Sequence, residues 1–313
     1  MRAVGVTEYG GPEALRVVDL PEVHAGPGEV RLRVHAATVN PTDTYVRNGA
    51  RAEAQSDHGP PYVPGMDAAG VVDEVGEGVS TGIAVGDRAM AIVVPAGSHG
   101  AYRQSIVLPA ESVTKAPDGS THAEASTLPM NGLTARLSLD LLGLRPGQTL
   151  AVTGAAGAYG GYVVQLAKAD GLTVLADASE ADVELVTGLG ADIVVRRGDG
   201  FVAGVRARMP DGVDGLADGA VQNEAVIGAI RDGGAFTSVR GFTGEAQRDI
   251  SFTTTWVTSY QLENGKLDTL RRQTEDGLIT LRVAEIFPAE RAAEAHARLE
   301  AGGTRGRCVI DLS

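Results

Sequence analysis

The chain of 313 residues has a single cysteine, Cys308. One thiol closes no intramolecular disulfide and cannot build a thiolate zinc knuckle or an iron–sulfur site. A lone thiol also suits a reducing compartment, and the expected location is cytoplasmic. Positive charge is scarce: 27 Lys plus Arg against 40 Asp plus Glu leave a formal charge of −13. An acidic surface repels phosphate backbones and anionic lipid heads, which argues against nucleic acid or membrane as partner. Long apolar runs are missing as well. The longest uncharged stretch, 146–167, holds five glycines, two Gln and two Thr and makes a poor bilayer span. Glu8 interrupts the N-terminus before a signal-peptide core can accumulate. A small-molecule substrate is the default ligand that remains.

Apolar residues at 43% and charged residues at 21% are ordinary for a folded protein, and the length predicts about two domains. Glycine, at 42 residues, is nearly double its usual ~7% and falls in turn-like clusters. Up to about residue 120 the apolar runs are short and alternating (29–34, 70–75, 88–94), which predicts a β-rich unit. Beyond about 123, strands at 149–153, 172–176, 193–195, 215–217 and 235–239 alternate with helices at 162–170 and 180–189. That alternation predicts a doubly wound parallel sheet. The tail from about 275 returns to short strands (279–283, 307–311) around a charged helix at 289–301. The expected organisation is therefore α/β, with a β-rich domain of residues 1–122 and 275–313 and an inserted dinucleotide-binding domain of residues 123–274.

After the strand ending at Thr153 comes Gly154-Ala155-Ala156-Gly157-Ala158-Tyr159-Gly160-Gly161, directly before a helix. From Ala155 it matches A-x-G-x-x-G, the dinucleotide fingerprint with alanine in the first glycine place. Gly157 would let the backbone approach a pyrophosphate beside Ala158 and Tyr159, and Gly160 would let helix and strand pack closely. Two signals on the choice of nucleotide conflict. Asp177, 20 residues past Gly157, stands where an acid takes the ribose 2′-hydroxyl of NAD. Ser179 and the pair Arg196-Arg197 could instead bind the extra phosphate of NADP. Gly241 and Phe242, just past the strand 235–239, complete the cofactor-binding candidates.

The sequence resembles the zinc-independent quinone oxidoreductases, the zeta-crystallin-like branch of the medium-chain dehydrogenase/reductase superfamily. The resemblance spans nearly the whole chain and rests on collinear motifs. These are Gly10-Gly11-Pro12, Asn40-Pro41-Thr42-Asp43-Thr44-Tyr45-Val46-Arg47-Asn48-Gly49, Pro64-Gly65-Met66-Asp67-Ala68-Ala69-Gly70, Val85-Gly86-Asp87-Arg88, Gly132-Leu133-Thr134-Ala135 and the glycine turn. It implies a GroES-like catalytic domain, a Rossmann domain, NADPH in the cleft between them and a homodimer, with 249–256 resembling the pairing region. Zinc-dependent relatives place Cys where Asn40 stands and a His-Glu pair where Met66-Asp67 stand, so the resemblance also implies chemistry without metal. Hydride would pass to an acceptor already polarised by conjugation, a quinone or an α,β-unsaturated carbonyl. Asn40 and Tyr45 are the matched donors for the developing oxyanion, Thr134 would bond the nicotinamide end or a phosphate, and the proton would come from solvent.

Some residues depart from the family pattern. Tyr159 places a bulky ring beside the pyrophosphate path, Asp182 stands where a lysine is frequent, and Arg197 stands where a phosphate-contacting tyrosine is common. NADPH is the expected cofactor, with NADH as the alternative. Two other functions fit the same residues: an enoyl reductase of a biosynthetic pathway, and a low-turnover nucleotide-holding structural or sensor protein. The G-x-S-x-G spelling at 78–82 lies in a loop between strands and lacks the strand-to-helix turn of a nucleophile elbow. The six histidines show no ligand spacing and read as surface or turn residues.

Overall fold

The computed structural model describes residues 1–313, which divide into two units. One comprises Met1–Met130, Thr258–Glu275 and Leu281–Ser313; the other comprises Asn131–Val257 and Asp276–Thr280.

In the first unit the alternation in Glu29–Thr38 buries Val30, Leu32 and Val34 and leaves Arg33 in solvent, as a half-buried strand requires. That strand pairs antiparallel with Asp67–Val75, Ser105–Pro109 and Arg307–Asp311. The sheet has seven strands, running Val283–Pro288, Arg307–Asp311, Glu29–Thr38, Asp67–Val75, Arg88–Ile92, Val113–Lys115, with Ser105–Pro109 alongside Glu29–Thr38. A two-stranded ribbon, Arg2–Gly5 with Arg16–Asp19, completes the strands of this unit. Cys308 is fully buried in its core with Leu32, Ile106 and Ile310.

The second unit holds a six-stranded sheet, parallel throughout. Its order is Ile193–Arg196, Thr173–Ala178, Thr149–Thr153, Val213–Asp218, Ile230–Ser238, Ser251–Thr254. In chain order this is 3-2-1-4-5-6, the doubly wound arrangement in which strand order reverses beside Thr149–Thr153. Ligands of such sheets bind outside the carboxyl ends of the strands near that reversal.

Four details differ from the sequence expectation. The segment 258–275 packs with the first unit: its helix Asn264–Glu275 buries Leu267 and Leu270, and Asn264 Nδ2 donates to the Val113 carbonyl at 2.6 Å. The strand expected at 279–283 lies instead at Val283–Pro288. Ile279 is buried, and Gln165 exchanges two hydrogen bonds with Thr280 at 3.0 and 3.2 Å, which hold 276–280 in the second unit. The helix after the glycine turn begins at Ala158, four residues early. Finally, the helix expected to be a solvated one at 289–301 runs Ala292–Glu300 and buries Ala292, Ala295 and His296.

Candidate active site

The glycine turn has the geometry its spelling predicts, with one addition. Gly154, just before the matched motif, takes φ +69, a left-handed conformation that turns the chain out of the strand at low cost. Gly157 caps the helix Ala158–Ala169, its amide bonded to the Gly154 carbonyl at 2.9 Å. A Cβ on Gly160 would stand 2.3 Å from the Gly154 oxygen, so only glycine lets the helix come this close to the strand. The first-turn amides of a helix have no carbonyl within it to bond and, with the helix dipole, present positive charge. The amides of Ala158, Tyr159 and Gly160 are thus placed where they could receive a pyrophosphate, with the Gly157 turn leading into them.

Tyr159 does not crowd that path. Its ring is 9% exposed and turns inward, where the hydroxyl meets Ser138 Oγ at 2.7 Å. The space comes from Gly219, where a Cβ would lie 2.7 Å from the tyrosine ring. Burial raises the phenol pKa, so the hydroxyl stays neutral. Ser138 also bonds Thr255 Oγ1 at 3.0 Å and the Thr134 carbonyl at 2.9 Å, and Thr255 meets Thr237 Oγ1 at 2.8 Å. This hydroxyl cluster ties the glycine-turn helix to the helix Pro129–Leu142 that carries Thr134.

Asp177 also faces inward. It is 4% exposed, and its Oδ1 accepts the Ala155 amide at 2.9 Å, with Gly154 a second backbone donor. Burial nevertheless leaves its pKa raised. The carboxylate thus bonds the glycine turn from the end of the neighbouring strand. At that end Arg196 and Arg197 are exposed, and the Arg197 amide bonds the Ala178 carbonyl at 3.0 Å, beside Ser179. Ser179 Oγ donates to Asp182 Oδ2 at 2.5 Å. Gly241 takes φ +79, and Phe242 packs edge-on against Phe236 and Phe252.

In the first unit Asn40 and Tyr45 share one short helix, Pro41–Asn48, which Asn40 caps through a reciprocal box with Asp43. Asn40 is fully buried: its backbone amide donates to Asp43 Oδ2 at 2.7 Å and its Nδ2 to Asp67 Oδ2 at 2.6 Å. Tyr45 is half-buried and lies three residues from the half-buried Thr42, whose hydroxyl donates to Met66 Sδ at 3.1 Å. The buried face carries a network that sequence reasoning missed. Asp43 Oδ2 also accepts the Tyr102 hydroxyl at 3.1 Å, and Tyr102 meets His296 Nε2 at 3.1 Å. Arg47 Nη1 approaches His296 Nδ1 at 3.3 Å, and its Nη2 reaches Glu300 at 2.6 Å. Because arginine can only donate, Nδ1 is the acceptor; the imidazole hydrogen then sits on Nε2 and points at the tyrosine oxygen.

Burial drives the protonation of this network. It lowers His296 to about 3, with the nearby Arg47 charge adding to the effect, so the imidazole is neutral. It lifts Asp43 and Asp67 to about 7 each, against the hydrogen bonds that favour their charged forms. The N-x-x-D spacing of Asn40 and Asp43 was the one local signal of this arrangement; Tyr102 and His296 arrive from distant sequence. No group of three or more His, Cys, Asp or Glu side chains converges so as to hold a metal ion.

Comparison with known proteins agrees with this architecture. Residues 26–118 match the alcohol dehydrogenase GroES-like domain, and residues 189–310 match the zinc-binding dehydrogenase domain. Mouse quinone oxidoreductase is 29% identical over 100% of this chain and 98% of its own length. The trans-enoyl reductase tazE of Aspergillus terreus is 33% identical over 74% of this chain and 82% of its own. A solved structure described as an NAD-dependent alcohol dehydrogenase superposes with a TM-score of 0.88 at 32% identity, covering 100% of both chains. These matches, over a chain with a 3-2-1-4-5-6 parallel sheet, show an oxidoreductase of the pyridine-nucleotide class. Within that class the chain belongs to the quinone oxidoreductase family of the medium-chain dehydrogenase/reductase superfamily.

Proposed function

We propose that the chain is an NADPH-dependent reductase that passes hydride to a quinone or an α,β-unsaturated carbonyl without a metal. The observation that carries the choice of nucleotide is the placement of Asp177. Its carboxylate is engaged with the amides of the glycine turn, while Arg196 and Arg197 are exposed at the neighbouring strand end, which favours a phosphorylated ribose. Reduced nicotinamide supplies the hydride when bound. The glycine turn carries the pyrophosphate, and Arg197 carries the ribose phosphate, with the Ser179 hydroxyl committed to Asp182.

Tyr45 is the group assigned to the developing oxyanion, because its hydroxyl is on the half-buried face of its helix. Asn40, fully buried and bonded to Asp67 and Asp43, is assigned a positioning role at the start of that helix. This moves it from the oxyanion-donor role expected for it. Metal independence is supported by Asn40 and Met66-Asp67 standing at the positions where zinc-dependent relatives carry ligands. With Tyr159 packed away from the turn, the motivation for a low-turnover sensor is gone.

A cytoplasmic enzyme fits a chain in which no helix is long and apolar enough to cross a membrane. The outer edge of Ser251–Thr254 has no neighbouring strand, which supports a homodimer joined there. The identity to tazE favours an enoyl thioester as the second acceptor class.

The test is NADPH oxidation, after dialysis against a chelator, with a panel of benzoquinones, naphthoquinones, aliphatic enones and enoyl thioesters. Turnover with at least one conjugated acceptor is expected. The reading is overturned if none is reduced, or if turnover returns only when zinc is added.

A further inference from the structure

At the carboxyl end of the outermost strand of the parallel sheet stands the chain's one tryptophan. Trp256 follows Ser251–Thr254 by two residues and is 56% exposed, in a protein whose other large aromatics in this unit turn inward. Its backbone is firmly held. The Thr255 amide bonds the Ser238 carbonyl at 3.1 Å, and the Thr255 hydroxyl belongs to the buried cluster with Ser138 and Thr237. The benzo edge of the indole passes over Gly241: a Cβ there would lie 3.6 Å from Cζ2, so the glycine leaves that edge uncovered. The neighbouring strand ends at Ser238, which is fully buried and whose Oγ has no hydrogen-bond partner in the protein. A buried hydroxyl left without a partner is costly, and such groups mark places that a ligand completes. An exposed ring on a held backbone and an unsatisfied hydroxyl are thus both carried at the strand ends where parallel sheets bind their ligands.

We propose that Trp256 is a specificity-determining residue, the face against which the planar ring of a quinoid acceptor stacks. The inference rests on the reductase reading and narrows its acceptor to flat conjugated rings. An indole offers a large polarisable surface at small entropic cost, and offset stacking favours an electron-poor ring such as a quinone over an aliphatic enone of similar size. Gly241 contributes by leaving room beside the indole, and Thr255 by fixing its height.

Because Trp256 is the only tryptophan, protein emission excited at its absorption edge reports this position alone. The experiment titrates the full-length protein with 1,4-naphthoquinone, with and without saturating NADP, and corrects for absorption with a free tryptophan analogue. The expected result is saturable quenching with the lifetime of the residual emission unchanged. In parallel, Trp256→Ala should lower the ratio of kcat/KM for naphthoquinone over an aliphatic enone roughly 3- to 10-fold, and Trp256→Phe should lower it less.

Quenching that stays linear in quinone and shortens the lifetime would be collisional and would overturn the proposal, as would a ratio unmoved by either substitution. Two further outcomes count against it. One is an alanine variant that weakens nucleotide binding as much as it raises the quinone KM, which places the indole on the nicotinamide. The other is an alanine variant that changes the oligomeric state with the ratio unmoved, which places the indole in a subunit contact. A protein that turns over no acceptor and yet quenches saturably would defeat the reductase reading and leave this ring site standing.

Discussion

The two units bury polarity in different ways. In the first, charged and titratable groups go inside: Asp43, Asp67, Arg47, His296 and Arg307 are all 8% exposed or less, and hydrogen bonds through Asn40 and Tyr102 link the first four of them. In the second, the buried polar groups beside the glycine turn are mainly hydroxyls, and its two buried strand-end carboxylates, Asp177 and Asp218, accept bonds from backbone amides and a threonine. The first unit is thus held by charge and should answer to pH and to loss of a charged partner. The second is held by close backbone approach and should answer to the addition of a single carbon.

The largest effect is expected at Arg47, 3% exposed and bonded to His296, Glu300 and the Gly10 carbonyl. Arg47→Ala leaves the His296 and Gly10 acceptors without a donor, while Glu300, 41% exposed, is rehydrated, and the change should cost about 2–3 kcal/mol in denaturant unfolding. In the second unit Gly160→Ala forces a methyl to within 2.3 Å of the Gly154 oxygen. It should cost about 1–3 kcal/mol by overpacking and weaken both nucleotides together, read by titration calorimetry. If Gly160→Ala spares nucleotide binding, the glycine turn has been misread.

The pH response separates the units further. Asp43 and Asp67 have folded pKa values raised to about 7, well above the unfolded carboxylate range. The folded state therefore holds more protons than the unfolded one, and stability is lost as pH rises through 7. His296, lowered to about 3, works in the opposite direction, but only below its unfolded value near 6.5. Between pH 6.5 and 8 the carboxyls dominate, each contributing a loss on the order of 1 kcal/mol. Unfolding of wild type and Asp67→Asn across that window should show a shallower slope in the variant, whatever its absolute stability.

The smallest effect is expected at Tyr159→Phe, which removes one neutral hydrogen bond to Ser138. It should cost about 1 kcal/mol in thermal unfolding. Its companion Gly219→Ala should be severe alone and partly rescued by Tyr159→Val, since ring and missing Cβ share one space.

Much of the second unit was legible because its signals are local. The strand Thr149–Thr153, the turn glycines and the strand–helix alternation are each set by a few adjacent residues. The strand expected to end at Ala176 runs to Ala178. Asp177 therefore stays within the ladder, paired with Val195, and its side chain points under the turn. Ser179 followed by Glu180 and Asp182 was the available sign that the strand reaches the helix cap. Tyr159 was misjudged because the glycine that accommodates it lies 60 residues later. The network in the first unit was illegible for the same reason: Asp43, Tyr102 and His296 come from three separate segments, and no periodicity links them. The helix Asn264–Glu275 reads as amphipathic in either unit, and only its contacts with Val113 and Thr114 assign it.

The central claim is that the second unit takes a phosphorylated pyridine nucleotide, with Asp177 supporting the turn and Arg197 meeting the phosphate. Parallel titrations of NADPH and NADH against wild type, Arg197→Ala and Asp177→Asn test it most directly. Wild type should bind NADPH about 10-fold or more tightly than NADH, Arg197→Ala should remove most of that margin, and Asp177→Asn should weaken both nucleotides alike. Tighter binding of NADH by wild type, with Asp177→Asn selectively abolishing it, would contradict the account.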